Sequence, residues 1–249
     1  MRTGGALAAA AAALAPNGVL RAGINLSNFL LVSCKGPAGE PRGVSPDMAA
    51  VLADKLGVGL ELVPYKNPGL LADAAVNDEW DVGLIGAEPA RAQHISFTAP
   101  YAEIQATFLV PAGSELRGMD AVDQPGVRIC VSARAAYDLW LSANLKHATL
   151  TRTDEPGLDK SRALFDSGEF DALAGLRPWL IGQAETIPGS TILDGSFTTV
   201  QQAIGHPRGR GDGGATLFLE RFVEEAKASG LVAELIEKHG QAGRLSVAG

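Results

Sequence analysis

Asp81 to Tyr101 reads DVGLIGAEPARAQHISFTAPY, and this stretch decides the fold. Val82 to Ile85 is a short apolar run with β-branched residues at its ends, stopped by Gly86. Such a run predicts a buried strand. Pro89 follows where the first turn of a helix tolerates it, because that position needs no backbone donor. Arg91 then falls within the first turn or so after the strand's carboxyl end. In open α/β sheets ligands bind along that edge. A guanidinium beside free helix N-terminal N–H groups suits a carboxylate or another oxyanion. The competing reading of Arg91 is a surface salt bridge with Glu88.

Working outward, 249 residues allow one large domain or two lobes. Hydrophobic residues at 46% and charged residues at 20% are ordinary for a soluble globular chain. A net charge of -7, with no basic run, argues against nucleic acid and anionic membrane as partners. The four histidines are scattered without ligand spacing, so neither a metal nor a cofactor is expected. No run is long and apolar enough to span a bilayer. At the N-terminus, Ala6 to Ala15 reads either as the weak apolar segment of a secretory signal or as a short helix ahead of the first strand. Gly205 to Gly214 (GHPRGRGDGG) reads as a flexible loop and lacks the Lys-Ser/Thr ending of a phosphate-binding loop.

Ile95, Phe97, Thr98, Pro100 and Tyr101, spaced behind Arg91 and Ala92, follow the pattern T-x-x-R-A-x-x-I-x-F-S-x-P-Y. In this the chain resembles the extracellular solute-binding proteins of family 3, the amino-acid-type binding proteins of ABC importers. Glu88 stands where that pattern has Thr. The resemblance runs from Val19 to about Leu235. It implies an α/β, two-lobed periplasmic-binding-protein-like fold of type II, with a central ligand cleft and two hinge crossings. Residues 19–101 and 202–249 would form lobe 1 and 106–195 lobe 2. Segments 102–105 and 196–201 would be the crossings, and 1–18 a signal remnant or N-terminal helix. Because the family is exported, the signal reading and a periplasmic location are preferred; the location would be cytoplasmic if the N-terminus is not a signal. Cys34 and Cys130 would fall in different lobes and stay free, since a disulfide would hinder lobe motion.

The same resemblance supplies the candidate binding residues. Arg91 would grip a ligand carboxylate, beside Glu88. Asn25, Asn28 and Phe29 lie in the loop after the first strand, Val19 to Asn25, which would present polar and aromatic groups. For the asparagines the alternative is a turn in which they bond their own backbone. Asn67 sits near another contact position. Ser45-Pro46-Asp47 reads as a helix start with Ser45 as N-cap. In lobe 2, Ser132, Arg134 and Ala135 occupy the place where backbone N–H groups and hydroxyls would complete the carboxylate site. The pattern x-D-A-x-x-x-D is met at Asp171, but its last Asp, the partner of an α-amino group, is replaced by Leu176. A buried ammonium without a counter-charge is costly. Leu176 therefore departs from a standard α-amino-acid site, unless Glu88 supplies the carboxylate.

Arg91, Arg134 and Arg177 favour an anionic or amino-acid-like solute, and Glu88 opposes that if it faces the site. The expected function is the solute-binding component of an ABC-type importer. It would be a monomer and not an enzyme, and would capture a small carboxylate-bearing solute and deliver it to a membrane permease. Two alternatives differ in class. One is a dehydratase acting on a cyclic carboxylate, with Glu88 as general acid. The other is an orphan sensory binding module.

Overall fold

The computed structural model describes residues 2–210 and 213–249, with side chains from residue 5 onward. The chain divides into two compact units, Met1–Glu103 with Gln201–Gly249, and Ile104–Val200. The chain passes from one to the other within the strands Ala102–Val110 and Thr198–Pro207.

In unit 1, Val19–Asn25 lies between Gly59–Tyr65 and Val82–Gly86 and is parallel to both. Gly86 to Gly83 then pair antiparallel with Gln202 to Gly205, and Ile95–Phe97 pairs further along with Gly205 to Pro207. Val82–Gly86 is buried at every position, as a strand covered on both faces must be. Trp80 lies over this sheet. Its indole sits where a Cβ on Gly23 or Gly83 would come within 3.2 Å and 3.1 Å of it, and its Nε1 donates to Leu71 O at 3.0 Å.

Among the described residues of unit 1 the helices are Arg2–Leu14, Val44–Leu56, Pro68–Asp73, Gly214–Ala228 and Leu231–Lys238. The N-terminal Ala-rich run is the helix Arg2–Leu14. It packs on Gly214–Ala228 and buries Ala10 and Leu14. The start of Val44–Leu56 differs from expectation. Gly43 is the N-cap and makes no side-chain cap. Ser45 lies inside the first turn, and its hydroxyl meets the buried Tyr101 hydroxyl at 3.0 Å. Glycine is required at 43 because a Cβ there would lie 2.2 Å from Leu31 O. The loop read as flexible starts later than expected, since Gly205 to Pro207 belong to a strand. Within it, Arg208 Nε donates to Ala92 O at 2.6 Å and Arg210 pairs with Asp81, and residues 211 and 212 lie outside the described residues.

Unit 2 repeats the arrangement. Arg128–Val131 lies between Thr149–Arg152 and Ala172–Leu176, parallel to both, and Ala172–Leu176 runs antiparallel to Ala102–Val110. Helices Leu158–Asp166 and Arg177–Ala184 pack on it around Leu109, Cys130, Phe165, Leu173 and Leu180, and Ala136–Asn144 packs against Ala172–Leu176 and Thr149–Arg152. Cys34 is exposed and Cys130 buried, and both are free thiols. Burial pushes the Cys130 thiol up to about 12, which leaves it unreactive.

The two units share one further device. In unit 1, Arg21 N donates to Asp81 Oδ2 at 2.8 Å, and Asp81 N donates to Arg21 O at 2.8 Å. The Arg21 guanidinium returns to the same carboxylate through Nε at 3.1 Å and Nη2 at 2.8 Å. In unit 2, Arg128 N donates to Asp171 Oδ2 at 2.8 Å, Asp171 N to Arg128 O at 2.8 Å, and the guanidinium closes back at 3.2 Å. The settings differ. The Asp81 side chain is 1% exposed and also holds Arg210, whereas that of Asp171 is 37% exposed.

Asp81→Ala therefore leaves cations facing an empty buried position, and should cost about 3 kcal/mol in denaturant unfolding. Asp171→Ala, an exposed pair, should cost about 1 kcal/mol or less. Equal losses would show that burial does not set the difference. Gly43→Ala must displace backbone and should destabilise by roughly 1–3 kcal/mol, read as a lower unfolding midpoint.

Candidate functional site

Gly86 ends its strand, and Ala87 N donates to Gln201 O at 2.8 Å. Pro89 and Ala90 turn the chain, and Glu88 O accepts both Arg91 N at 2.9 Å and Ala92 N at 3.0 Å. A single 3₁₀ turn follows, Arg91–Gln93, before Ile95–Phe97 begins. The expected helix start is thus corrected to a tight turn. Its N–H groups at 91 and 92 are satisfied by Glu88 O and form no anion-binding helix end. The cause is the next strand, which must pair from Ile95 onward and leaves no room for a longer helix.

Arg91 is only 6% exposed, and its Nη1 donates to Gly86 O at 2.8 Å. The guanidinium is folded back against the carboxyl end of its own strand and is buried there. Glu88 is 8% exposed. Burial pushes its carboxyl up to about 7, and the Arg91 charge, which favours ionisation, offsets only part of that. The far end of the stretch is pinned by Tyr101 N to Gln202 O at 2.8 Å. Gln201 and Gln202 thus hold both ends of 87–101 through their carbonyls.

The other unit 1 candidates are engaged locally. Asn25 Oδ1 accepts from Ser27 N at 3.1 Å and Ser27 Oγ at 2.8 Å. Asn28, 8% exposed, accepts from Leu30 N at 3.2 Å through Oδ1. Both follow the turn alternative, in which Asn mimics a backbone turn. Asn67 is an N-cap, with Oδ1 accepting from Leu70 N at 3.0 Å. Phe29 is half-buried, and Arg244 Cζ lies 5.4 Å from its ring centroid. That cation–π contact joins residues far apart in sequence, and no local pattern pointed to Arg244.

In unit 2 the expected anion loop is already satisfied from within. Ala133 N donates to Thr153 Oγ1 at 2.9 Å, and Arg134 N donates to Asp138 Oδ2 at 2.7 Å. Ser132 Oγ accepts from Gly157 N at 2.9 Å. Asp138, 2% exposed, sits in the first turn of Ala136–Asn144 and also takes Arg152 Nε at 2.8 Å. It is an internal carboxylate placed at the helix start, so the N–H groups of 133 and 134 are not offered to a solute. Arg134 is exposed and holds φ 62, a left-handed conformation uncommon outside glycine. Ala135 is the N-cap residue. Leu176, 9% exposed, joins its strand to helix Arg177–Ala184 and brings no charge. Arg177 is corrected too. Its Nε donates to Gln105 Oε1 at 2.8 Å and its Nη2 reaches Leu193 O and Gly195 O, so it fastens a loop. Among the described residues no group of three His, Cys, Asp or Glu could hold a metal ion, and no helix is long and apolar enough to cross a membrane.

Three likenesses bear on this arrangement. Cyclohexadienyl dehydratase of Pseudomonas aeruginosa is 30% identical over 138 residues, 54% of this chain and 51% of that protein. The chain thus matches about half the length of that curated relative. Among solved structures, a mutant of ArgBP from T. maritima superposes with TM-score 0.71 at 20% identity, over 93% of this chain and 99% of that one. The amino acid ABC transporter substrate-binding protein AbpA of Streptococcus pneumoniae, bound to L-arginine, gives TM-score 0.71 at 20% identity over 93% and 98%. Both share the two-lobed periplasmic-binding fold. With residues 23–242 matching the model of the bacterial extracellular solute-binding proteins, family 3, the chain belongs to that family.

Proposed function

We propose that the protein is the solute-binding component of an ABC-type importer. It would act outside the cytoplasm, capture an amino-acid-like carboxylate and deliver it to a membrane permease. The observation that carries this reading is Arg91, a guanidinium held at the carboxyl end of a buried strand next to the equally buried Glu88. A carboxylate on Arg91 gains about 1.5–3 kcal/mol through charge-assisted hydrogen bonds. Micromolar binding needs about 8 kcal/mol. The remainder must come from other polar contacts and from solute surface removed from water. Support also comes from AbpA, a relative in fold that holds L-arginine. In unit 2 the N–H groups of 133 and 134 are bonded to Thr153 and Asp138, so the reading rests on Arg91 and Glu88.

The likeness to cyclohexadienyl dehydratase, together with Glu88 titrating near neutrality, favours a second reading as a dehydratase of a cyclic carboxylate.

Thermal shift and calorimetry against amino acids, dicarboxylates, aromatic acids and polyamines test the first reading. One carboxylate class should stabilise the protein, and Arg91→Ala should weaken it roughly ten- to a hundredfold. Binding confined to neutral sugars, or indifferent to Arg91→Ala, would overturn it. Turnover of a prephenate-like acid, lost in Glu88→Gln, would establish the dehydratase instead.

A further inference from the structure

We propose that Glu88 is the specificity residue of this site: its carboxylate accepts the ammonium of the solute whose carboxylate Arg91 holds, so that the site selects ammonium-bearing acids and exchanges a proton on binding them. The inference rests on the reading of Arg91 given above.

Geometry comes first. Glu88 and Arg91 belong to one turn, locked by the bonds from Arg91 N and Ala92 N to Glu88 O. Their side chains are therefore carried as a pair at the strand's end, one anionic and one cationic. Glu88 is more than nine-tenths buried, yet among the described residues its carboxyl has no hydrogen-bond partner. Neither carboxyl oxygen is sealed from solvent. Burying a carboxyl without a partner is expensive, and a protein keeps such a group where something else completes it. An ammonium arriving from solvent supplies three donors and a positive charge.

The surroundings leave the assignment to Glu88. From its own turn, Arg91 is the charged group acting on it. Ala92 and Gln93 carry no charge. The strand paired along Gly86 brings Gln201 and Gln202, both uncharged, and Gln201 Nε2 donates to Glu103 Oε2 at 3.2 Å. Burial holds the carboxyl at about 7 against an ordinary 4.5, so the empty site carries a substantial fraction of protonated Glu88 at neutral pH. A solute ammonium favours the ionised form and expels that proton. The sign follows: affinity for an ammonium-bearing acid is full above about pH 7 and falls as pH drops. The slope approaches tenfold per pH unit once Glu88 is mostly protonated.

The empty protein carries the opposite signature. Because its folded state holds this proton more tightly than the unfolded chain, stability declines as pH rises from about 4.5 through 7.

The test is calorimetry on the full chain from pH 5 to 8.5, in buffers of differing ionisation heat. The probes are the standard L-amino acids, each beside the deamino acid of the same skeleton. The amino acid should bind with proton release near pH 6.5 and lose affinity towards tenfold per unit in acid. Glu88→Gln should flatten that profile and weaken amino-acid binding at pH 8 at least tenfold relative to its effect on the deamino acid. Without solute, Glu88→Gln should melt higher than wild type at pH 8, with the gap closing towards pH 5. A flat wild-type profile with no proton release would overturn the inference. So would equal affinity for amino and deamino acids, even if Arg91→Ala abolishes binding of both and the carboxylate reading stands. If no carboxylate binds at any pH, both readings fall.

Discussion

The site depends on a pair of charges at the opposite end of its strand. Parallel strands have no hairpin turn to set their alignment, and a slip of one residue turns every side chain to the other face. Arg21 and Asp81 remove that freedom. Each backbone N–H bonds the other residue, one to a carboxylate and one to a carbonyl, and the guanidinium closes back on the same acid. With Asp81 fixed, Val82–Gly86 has one register against Val19–Asn25, and Gly86, Glu88 and Arg91 emerge at one height on the sheet edge. Arg128 and Asp171 do the same for unit 2, with matching 2.8 Å backbone contacts. Two lobes built on one plan thus carry the same electrostatic pin. In unit 1 it is buried and reinforced by Arg210, which draws the chain after the return strand onto the same acid.

Much of this was legible in the sequence because it is local. The apolar run Val82 to Ile85, stopped by Gly86, announces a strand, and Val19 to Asn25 reads as the strand ahead of it. Two misreadings arise where a contact or strand outside the local window decides the conformation. Ser45 looks like an N-cap before Pro46, but its hydroxyl goes to Tyr101, and the sharp entry at Gly43 starts the helix instead. Pro89 looks like the opening of an α-helix, but the strand starting at Ile95 competes for the same residues and wins. Arg210 on Asp81 and Arg244 on Phe29 left no trace in any local pattern.

For the unit 2 loop, Ser132 to Ala135, the family resemblance implies N–H groups and hydroxyls offered to an anion, and the structure bonds the N–H groups of 133 and 134 internally. Asp138 lies three residues inside the helix N-cap, where an acid reaches back to an upstream N–H. Here it bonds Arg134 N, one residue before the N-cap, and the same carboxylate is held by Arg152. An internal carboxylate is always present, whereas a solute must give up translational freedom to arrive. The N–H groups of 133 and 134 are thereby taken up, and Leu176 adds no charge.

Arg91 and Glu88, read one at a time, argue for opposite solutes. Arg91 alone asks for an anion and Glu88 alone for a cation, yet they are fixed on one turn. Full ionisation of both would let them neutralise each other. Burial works against this, because desolvation outweighs the attraction and keeps Glu88 near the midpoint of its titration. On the proposed reading, the site would meet a solute in either of two states. With Glu88 ionised it complements a molecule bearing both a carboxylate and an ammonium. With Glu88 protonated it complements a bare carboxylate and has a proton to donate. Binding and general-acid chemistry then draw on the same residue. What separates a carrier from a dehydratase in such a fold is which state the solute stabilises, and whether a leaving group lies within reach of the proton.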